Sequence, residues 1–221
     1  MIGCQSQEEN WDGFKIKGNI KELGDSQLQV LKFVNGGIEI DSISAVDGKF
    51  EYKGKVKEPY FVQLLIREGG TTKSKLTEFM IENAEITIEG NSIEYDSVVV
   101  SGSESDKILK EYFQEDDLLS AKWDVLKLEY DNYVELNDSI NRKKVAKELN
   151  YILSEERVGL LKKYVSDHSN STVGALIPSF CTIENVLTTE HYNEFYNSLS
   201  EEIKMSDYGK GLLERSKATE E

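Results

Sequence analysis

Very little of the chemistry that marks an active site is present in this chain. Its 221 residues include two cysteines, two histidines and two prolines. Cys4 and Cys181 stand almost a chain apart and neither belongs to a C-x-x-C, so the dithiol used by thioredoxin-type redox enzymes is missing. Two His and two scattered Cys do not supply a zinc site of the usual ligand spacing, and no metal or other cofactor is expected. No apolar run reaches the roughly 18 residues that span a bilayer, which removes a membrane-spanning helix but leaves a lipid anchor open. Gly69-Gly70 lacks the G-x-x-x-x-G-K-[ST] spacing and a following helix, and reads as a flexible turn rather than a phosphate loop.

Positive charge is also scarce. Lys and Arg number 26 against 41 Asp and Glu, a formal net charge of -15. That surface repels a polyanion, so nucleic acid is not an expected partner. Lys53, Lys55 and Lys57 alternate along one strand amid acids, and a solvated strand face accounts for them. Aromatics at 10%, eleven of them Tyr, argue against disorder. The length allows one large domain or two small ones.

What the chain does have is pattern. Asp41 to Pro59, DSISAVDGKFEYKGKVKEP, predicts a β-hairpin about Asp47-Gly48, the pair that a type I′ turn favours. Phe50, Tyr52 and Val56 alternate with Glu51, Lys53, Lys55 and Lys57, so one face is buried and the other wet. Phe14, Ile16 and Ile20 make an earlier strand, and Leu28 to Val34 a second, apolar on both phases. Ile38 and Ile40 fall on the opposite phase from Ile43 and Ala45, which predicts a bulge near Asp41-Ser42. Pro59 to Ile66, Leu76 to Ile81, Glu85 to Gly90 and Ile93 to Val100 complete seven or eight strands. Arg67 to Lys75, REGGTTKSK, reads as a mobile hairpin loop and a candidate contact site.

Composition switches at Ser101-Gly102-Ser103-Glu104. Ser103 with Asp106 three residues on signals a helix start. Ile108, Tyr112, Leu119, Trp123, Leu126, Tyr130 and Tyr133 form one helical stripe. A second helix runs from Ser139 to about Asp167 with Val145, Leu149, Ile152, Leu160 and Tyr164 on its apolar face, and Asn137-Asp138 turns the two into a hairpin of helices. Shorter helices follow over Val173 to Phe180 and from Thr188 or Thr189 to Leu199. The fold class is therefore α+β: an antiparallel β-sandwich or barrel, then a helical region. The expected boundaries are a tether over 1–11, a β domain over 12–102, a helical domain over 103–205 and a polar tail over 206–221.

Several stretches resemble functional sites and read better as structure. The aromatic stripe fits a helix core better than a sugar platform. Glu115-Asp116-Asp117 are consecutive on a helix and point apart, which suits a solvated face rather than a cation site. Asp167-His168-Ser169 holds the residue types of a hydrolase triad, but contiguous residues do not place the base between nucleophile and acid. Cys181 reads as a structural thiol among apolar neighbours, and His191 has no second ligand near it. No catalytic residue is assigned and no enzyme activity is expected. Cys4 is the one modification candidate. Met1-Ile2-Gly3-Cys4 before a polar linker resembles the end of a lipoprotein signal peptide with its lipidated Cys, a reading that expects a charged and apolar leader upstream.

Three stretches together carry a family resemblance. They are the β module from Phe14 to Gly102 with its DSISAVDGKFEYKGKVKEP hairpin, ITIEG and VSGSESD; DHSNSTVG over Asp167 to Gly174; and LSEEIKMSDYGKGL over Leu199 to Leu212. In order and spacing they resemble the N-terminal region of Bacteroidetes thiol:disulfide interchange proteins of the thioredoxin-like, AhpC/TSA-related type. That region is a β-rich domain of unknown function, often following a lipoprotein signal. The resemblance implies a cell-envelope location facing the periplasm or at the outer membrane, a lipid anchor at Cys4, and a thioredoxin-like domain or envelope protein as partner. In that family the catalytic W-C-x-x-C lies in the thioredoxin-like domain, and no position of this chain matches it. The expected function is a non-catalytic accessory or docking module of a thiol:disulfide system. The alternative is a stand-alone envelope lipoprotein that binds a glycan or peptide through its β face or the 67–75 loop.

Overall fold

The computed structural model describes residues 12–34, 37–68, 71–183 and 186–217, so the whole 1–11 tether and Cys4 lie outside the described residues. The chain is α+β and divides into two compact units, one ending at Asp106 and the other beginning at Lys107.

The first unit contains eight described strands: β1 (Phe14–Ile20), β2 (Ser26–Val34), β3 (Gly37–Ala45), β4 (Lys49–Gly54), β5 (Tyr60–Glu68), β6 (Thr71–Ile81), β7 (Glu85–Gly90) and β8 (Val98–Ser101). They form two four-stranded sheets, ordered β4-β1-β7-β8 and β3-β2-β5-β6. Phe14, Ile16, Phe50, Ile86 and Ile88 of the first sheet and Leu28, Val30, Val62, Leu64 and Phe79 of the second share one core. Alternation drives this arrangement, because each strand turns every second side chain inward.

Pairing departs from the expected antiparallel plan at one place. β1 runs parallel to β7, Lys15 to Ile20 against Glu85 to Gly90, and antiparallel to β4. A period of two is common to both kinds of ladder, so the sequence pattern does not separate them.

The expected hairpin about Asp47-Gly48 is a corner. Both residues take positive φ, 50° and 75°, as the turn chemistry requires. Val46 and Lys49 bridge, but β3 pairs onward with β2 and β4 with β1, so the turn carries the chain from one sheet to the other. Gly48 is pinned to β1: Ile20 N donates to Gly48 O at 2.8 Å, and Gly48 N to Gly24 O at 2.9 Å.

The predicted bulge at Asp41-Ser42 does not occur. β2 and β3 stay in unbroken register from Ser26↔Ala45 to Val34↔Gly37. Ile43 and Ala45 point inward, while Ile38, Ile40 and Phe33 stand exposed on the outer face. Register shifts lie in β5–β6 instead. The 67–75 loop is mostly strand, since β5 reaches Glu68 and β6 starts at Thr71; Gly69-Gly70 lies outside the described residues.

The helical elements are α1 (Glu104–Glu135), α2 (Ser139–Tyr151), a π-helical turn (Ile152–Arg157), α3 (Val158–Asp167), α4 (Thr172–Leu176) running into a 3-10 turn (Ile177–Phe180), α5 (Thr189–Ser198), α6 (Glu201–Lys204) and α7 (Asp207–Arg215). The start of α1 is held as expected, with Asp106 N donating to Ser103 Oγ at 3.1 Å. A further cap was not legible: Glu82 accepts from Glu104 N at 2.5 Å and from Ser105 Oγ at 2.6 Å. Asp138 turns α1 into α2, accepting from Ile140 N and Asn141 N. The expected polar tail from Ser206 carries helix α7, which packs on α4 and α5 and buries Leu212. Among the described residues, no helix is long and apolar enough to cross a membrane.

Candidate functional site

A network of charged and aromatic side chains in the helical unit lies where the first half of α1 meets the π turn and α3. The stripe Val145, Leu149, Ile152 is followed inward not by Glu156 but by Arg157, Val158 and Leu161. A step of five between Ile152 and Arg157 is what a π turn produces, because it inserts one residue into the α repeat. The expected stripe member Leu160 is accordingly displaced to half-burial and Leu161 is fully buried.

The inserted phase brings a guanidinium into the helix interface. Arg157 Nε lies 2.7 Å from Asp116 Oδ1 and Nη2 lies 2.8 Å from Ser120 Oγ. Arg157 retains 8% of its side-chain exposure and Asp116 26%. The preceding residue of α1, Glu115, accepts from Lys163 Nζ at 3.0 and 3.1 Å and from Tyr164 OH at 2.9 Å. The Lys163 bond, then the Tyr164 bond, holds the Glu115 carboxyl below its ordinary value. Burial, and then the bond to Glu115, pushes the Tyr164 phenol up to about 12. Tyr112 meets Tyr164 edge-on at 5.4 Å, and its phenol is pushed up by burial and then by the Asp116 charge. Phe113 meets Phe180 edge-on at 5.0 Å.

Beside this network a cleft of about 450 Å³ opens along the helical hairpin, lined by Lys122, Leu126, Lys147, Glu148, Tyr151, Ile152 and Glu156. Lys122 Nζ closes one side on Glu156 at 2.6 and 2.8 Å. Nearby in sequence, Trp123 Nε1 is buried without a hydrogen-bond partner.

The acidic run therefore splits. Glu115 and Asp116 each take a cation from α3 or the π turn, and Asp117 faces solvent. Among the described residues, no three His, Cys, Asp or Glu side chains group as a metal-ligand set. Asp167-His168-Ser169 is the end of α3 and its turn. The His168 ring lies against Tyr164 at 5.8 Å, His168 O accepts from Ser171 N, and Ser169 O accepts from Ser200 N. His191 is a cap: Thr188 N donates to its Nδ1 at 3.2 Å while Thr188 Oγ1 accepts from His191 N. Cys181 is half-buried and makes no disulfide among the described residues, and burial pushes its thiol up, away from the thiolate a nucleophile needs.

These groups bind one another, and the phenols of Tyr112 and Tyr164 and the Cys181 thiol stay protonated near neutral pH. Such an arrangement clamps helices in register. The Arg157 clamp escaped the sequence reading because a one-residue phase insertion has no compositional signature. No curated protein matches the chain. Residues 14–109, from the first residue of β1 into the opening turns of α1, match the family model described as Domain of unknown function (DUF4369), and a DUF4369 domain therefore covers the β unit.

Proposed function

We propose that the chain is a non-catalytic docking module of a cell-envelope thiol:disulfide system, tethered to the membrane through an acylated Cys4 and partnered by a thioredoxin-like domain. The observation that carries this reading is the DUF4369 match over residues 14–109, the stretch on which the resemblance to interchange proteins chiefly rests. The chemistry of the helical unit agrees with it: Arg157, Asp116, Glu115 and Tyr164 are engaged with each other, and the Cys181 thiol has its pKa raised.

The test couples two measurements on the same protein. In a dithiothreitol-driven insulin assay the chain leaves the reduction rate unchanged, and catalytic turnover overturns the reading. Titrated against a W-C-x-x-C envelope thioredoxin, it binds, and binding survives Cys181→Ser; no binding up to about 100 μM removes the docking role. Palmitate labelling in cells that is retained in Cys4→Ser removes the anchor.

A second reading, binding of a glycan or peptide on the β face, is favoured by the open edge of β3. Ile38 and Ile40 with Phe33 of β2 form an exposed apolar strip there, and such an edge accepts an added strand. A peptide and glycan panel decides it: binding lost on Ile38→Ser with Ile40→Ser supports this reading, and an empty panel ends it.

A further inference from the structure

Helix α1 is apolar on two opposite faces. One face, with Tyr112, Trp123, Leu126 and Tyr130, is the partly covered side, which meets the π turn through Asp116 and Ser120 and α3 through Tyr112. About half a turn away run Leu118, Ala121, Val125 and Leu128, spaced three, four and three residues. Leu118 is 71% exposed, Val125 59% and Leu128 72%, so this second seam has no cover. A helix apolar on both sides belongs between neighbours on both, and among the described residues only the first face meets them.

The charges bordering the seam identify the missing one. Taking Leu118 and Val125 as positions a and Ala121 and Leu128 as d, the flanking positions hold Asp117, Asp124 and Asp131 on one side and Lys122 and Glu129 on the other. Lys122 is spent on Glu156, and Asp131 already takes Lys127. Asp117, Asp124 and Glu129 have no cation partner among the described residues. A second copy of the chain fits poorly. Antiparallel pairing sets the Asp117, Asp124, Asp131 row against itself, parallel pairing sets Asp124 against Glu129, and each molecule carries a formal charge of -15.

We infer that the Leu118–Leu128 seam of α1 docks an amphipathic helix of another protein, with aliphatic residues at heptad positions and Lys or Arg beside them. The seam is about 15 Å long, enough for three turns of a partner helix. Apolar contact supplies the attraction, and the acidic borders select the partner and its register. This surface stands whether or not the partner belongs to a thiol:disulfide system.

The test uses the full chain and fluorescein-labelled helical peptides with Leu at a and d and either Lys or Glu at e and g, read by anisotropy near physiological salt. The Lys-flanked peptide binds at least about tenfold tighter than the Glu-flanked one. Leu118→Ser with Val125→Ser and Leu128→Ser removes that binding while circular dichroism and the thermal transition stay as in the parent. Asp117→Lys with Asp124→Lys and Glu129→Lys reverses the preference between peptides. Equal binding of a Lys-rich peptide of the same composition without the heptad order overturns the proposal, since bulk charge then explains the affinity. A dimer in sedimentation equilibrium that the triple Ser variant dissolves also overturns it, because the seam then serves a second copy.

Discussion

Burying the Arg157 guanidinium costs solvation that the Asp116 carboxylate and the Ser120 hydroxyl offset. Removing the carboxylate strands the cation, whereas removing the cation leaves a carboxylate that reaches water. Asp116→Ala should therefore lower the unfolding free energy by about 2–3 kcal/mol, less than for a fully buried pair because Asp116 keeps 26% exposure, and Arg157→Met by about 1 kcal/mol or less. Urea unfolding followed by circular dichroism measures both, and equal losses contradict this account. The Glu115–Tyr164 pair sets two pH limits of opposite sign. Glu115 has a folded pKa below its unfolded value near 4.3, so its contribution is present above that pH and is lost as pH falls through the folded value. Tyr164 has a folded pKa raised from about 10 to about 12, so its contribution is complete below pH 10 and lost as pH rises through 12. Glu115→Gln should flatten the acid limb of a stability–pH curve and Tyr164→Phe the alkaline limb. If absorbance at the tyrosinate band shows Tyr164 ionising with the exposed tyrosines, the alkaline half fails. Glu115 and Asp116 were visible in the sequence as acids on a helix. Their partners, more than forty residues away, were not.

At the scale of elements, two local devices shape the chain. Gly48 sits at φ 75°, and a Cβ there would stand 2.2 Å from Ile20 O, a backbone atom that cannot swing aside. Gly48→Ala should cost about 2–4 kcal/mol, combining left-handed strain with displacement of β1. Gly211→Ala, inside α7 with open space at its Cβ, should stabilise by about 0.5–1 kcal/mol. Thermal melts that move both variants in one direction refute the contrast. The π turn is the other device. Deleting exposed Ser154 should let Ile152–Arg157 close into a regular α turn with α3 still in phase, whereas deleting Lys147 from α2 rotates everything downstream by about 100°. A cooperative melt retained by the first deletion and lost by the second is the expected outcome; loss in both shows that the insertion is itself needed. The Asp47-Gly48 turn was legible because positive φ at two successive residues has a chemical signature. The displacement of Leu160 in favour of Leu161 was not, because a helix with one extra residue keeps the same composition.

For the whole molecule, the excess of 15 negative charges governs the response to salt. Exposed pairs such as Lys17–Glu85 and Lys53–Glu51 contribute little, and salt weakens them. Repulsion among the surplus carboxylates is screened by the same salt and outweighs that loss. Raising NaCl from about 20 mM to about 0.5 M should therefore raise Tm by several degrees, and a fall would mean that ion pairs dominate. The sequence changes pattern at Ser101-Gly102, and the two compact units meet in the chain between Asp106 and Lys107.

Sequence alone determined most of the strands and helices, because hydrophobic period and turn chemistry are local properties of a few consecutive residues, although the outer ends of β5 and β6 and helix α7 escaped it. It also determined the capping of α1 by Ser103 and the acidic character of the surface. Only the tertiary structure decided which strands become neighbours. The parallel β1–β7 pair, the corner at Asp47-Gly48 and the unrepaired phase of Ile38 and Ile40 all depend on residues far apart in the chain. Burial of Arg157 depends in the same way on Asp116 and Ser120, and the bare Leu118–Leu128 seam on what packs elsewhere around α1. Periodicity states that a side chain belongs to a face; which face is covered is settled by the packing of the rest of the molecule.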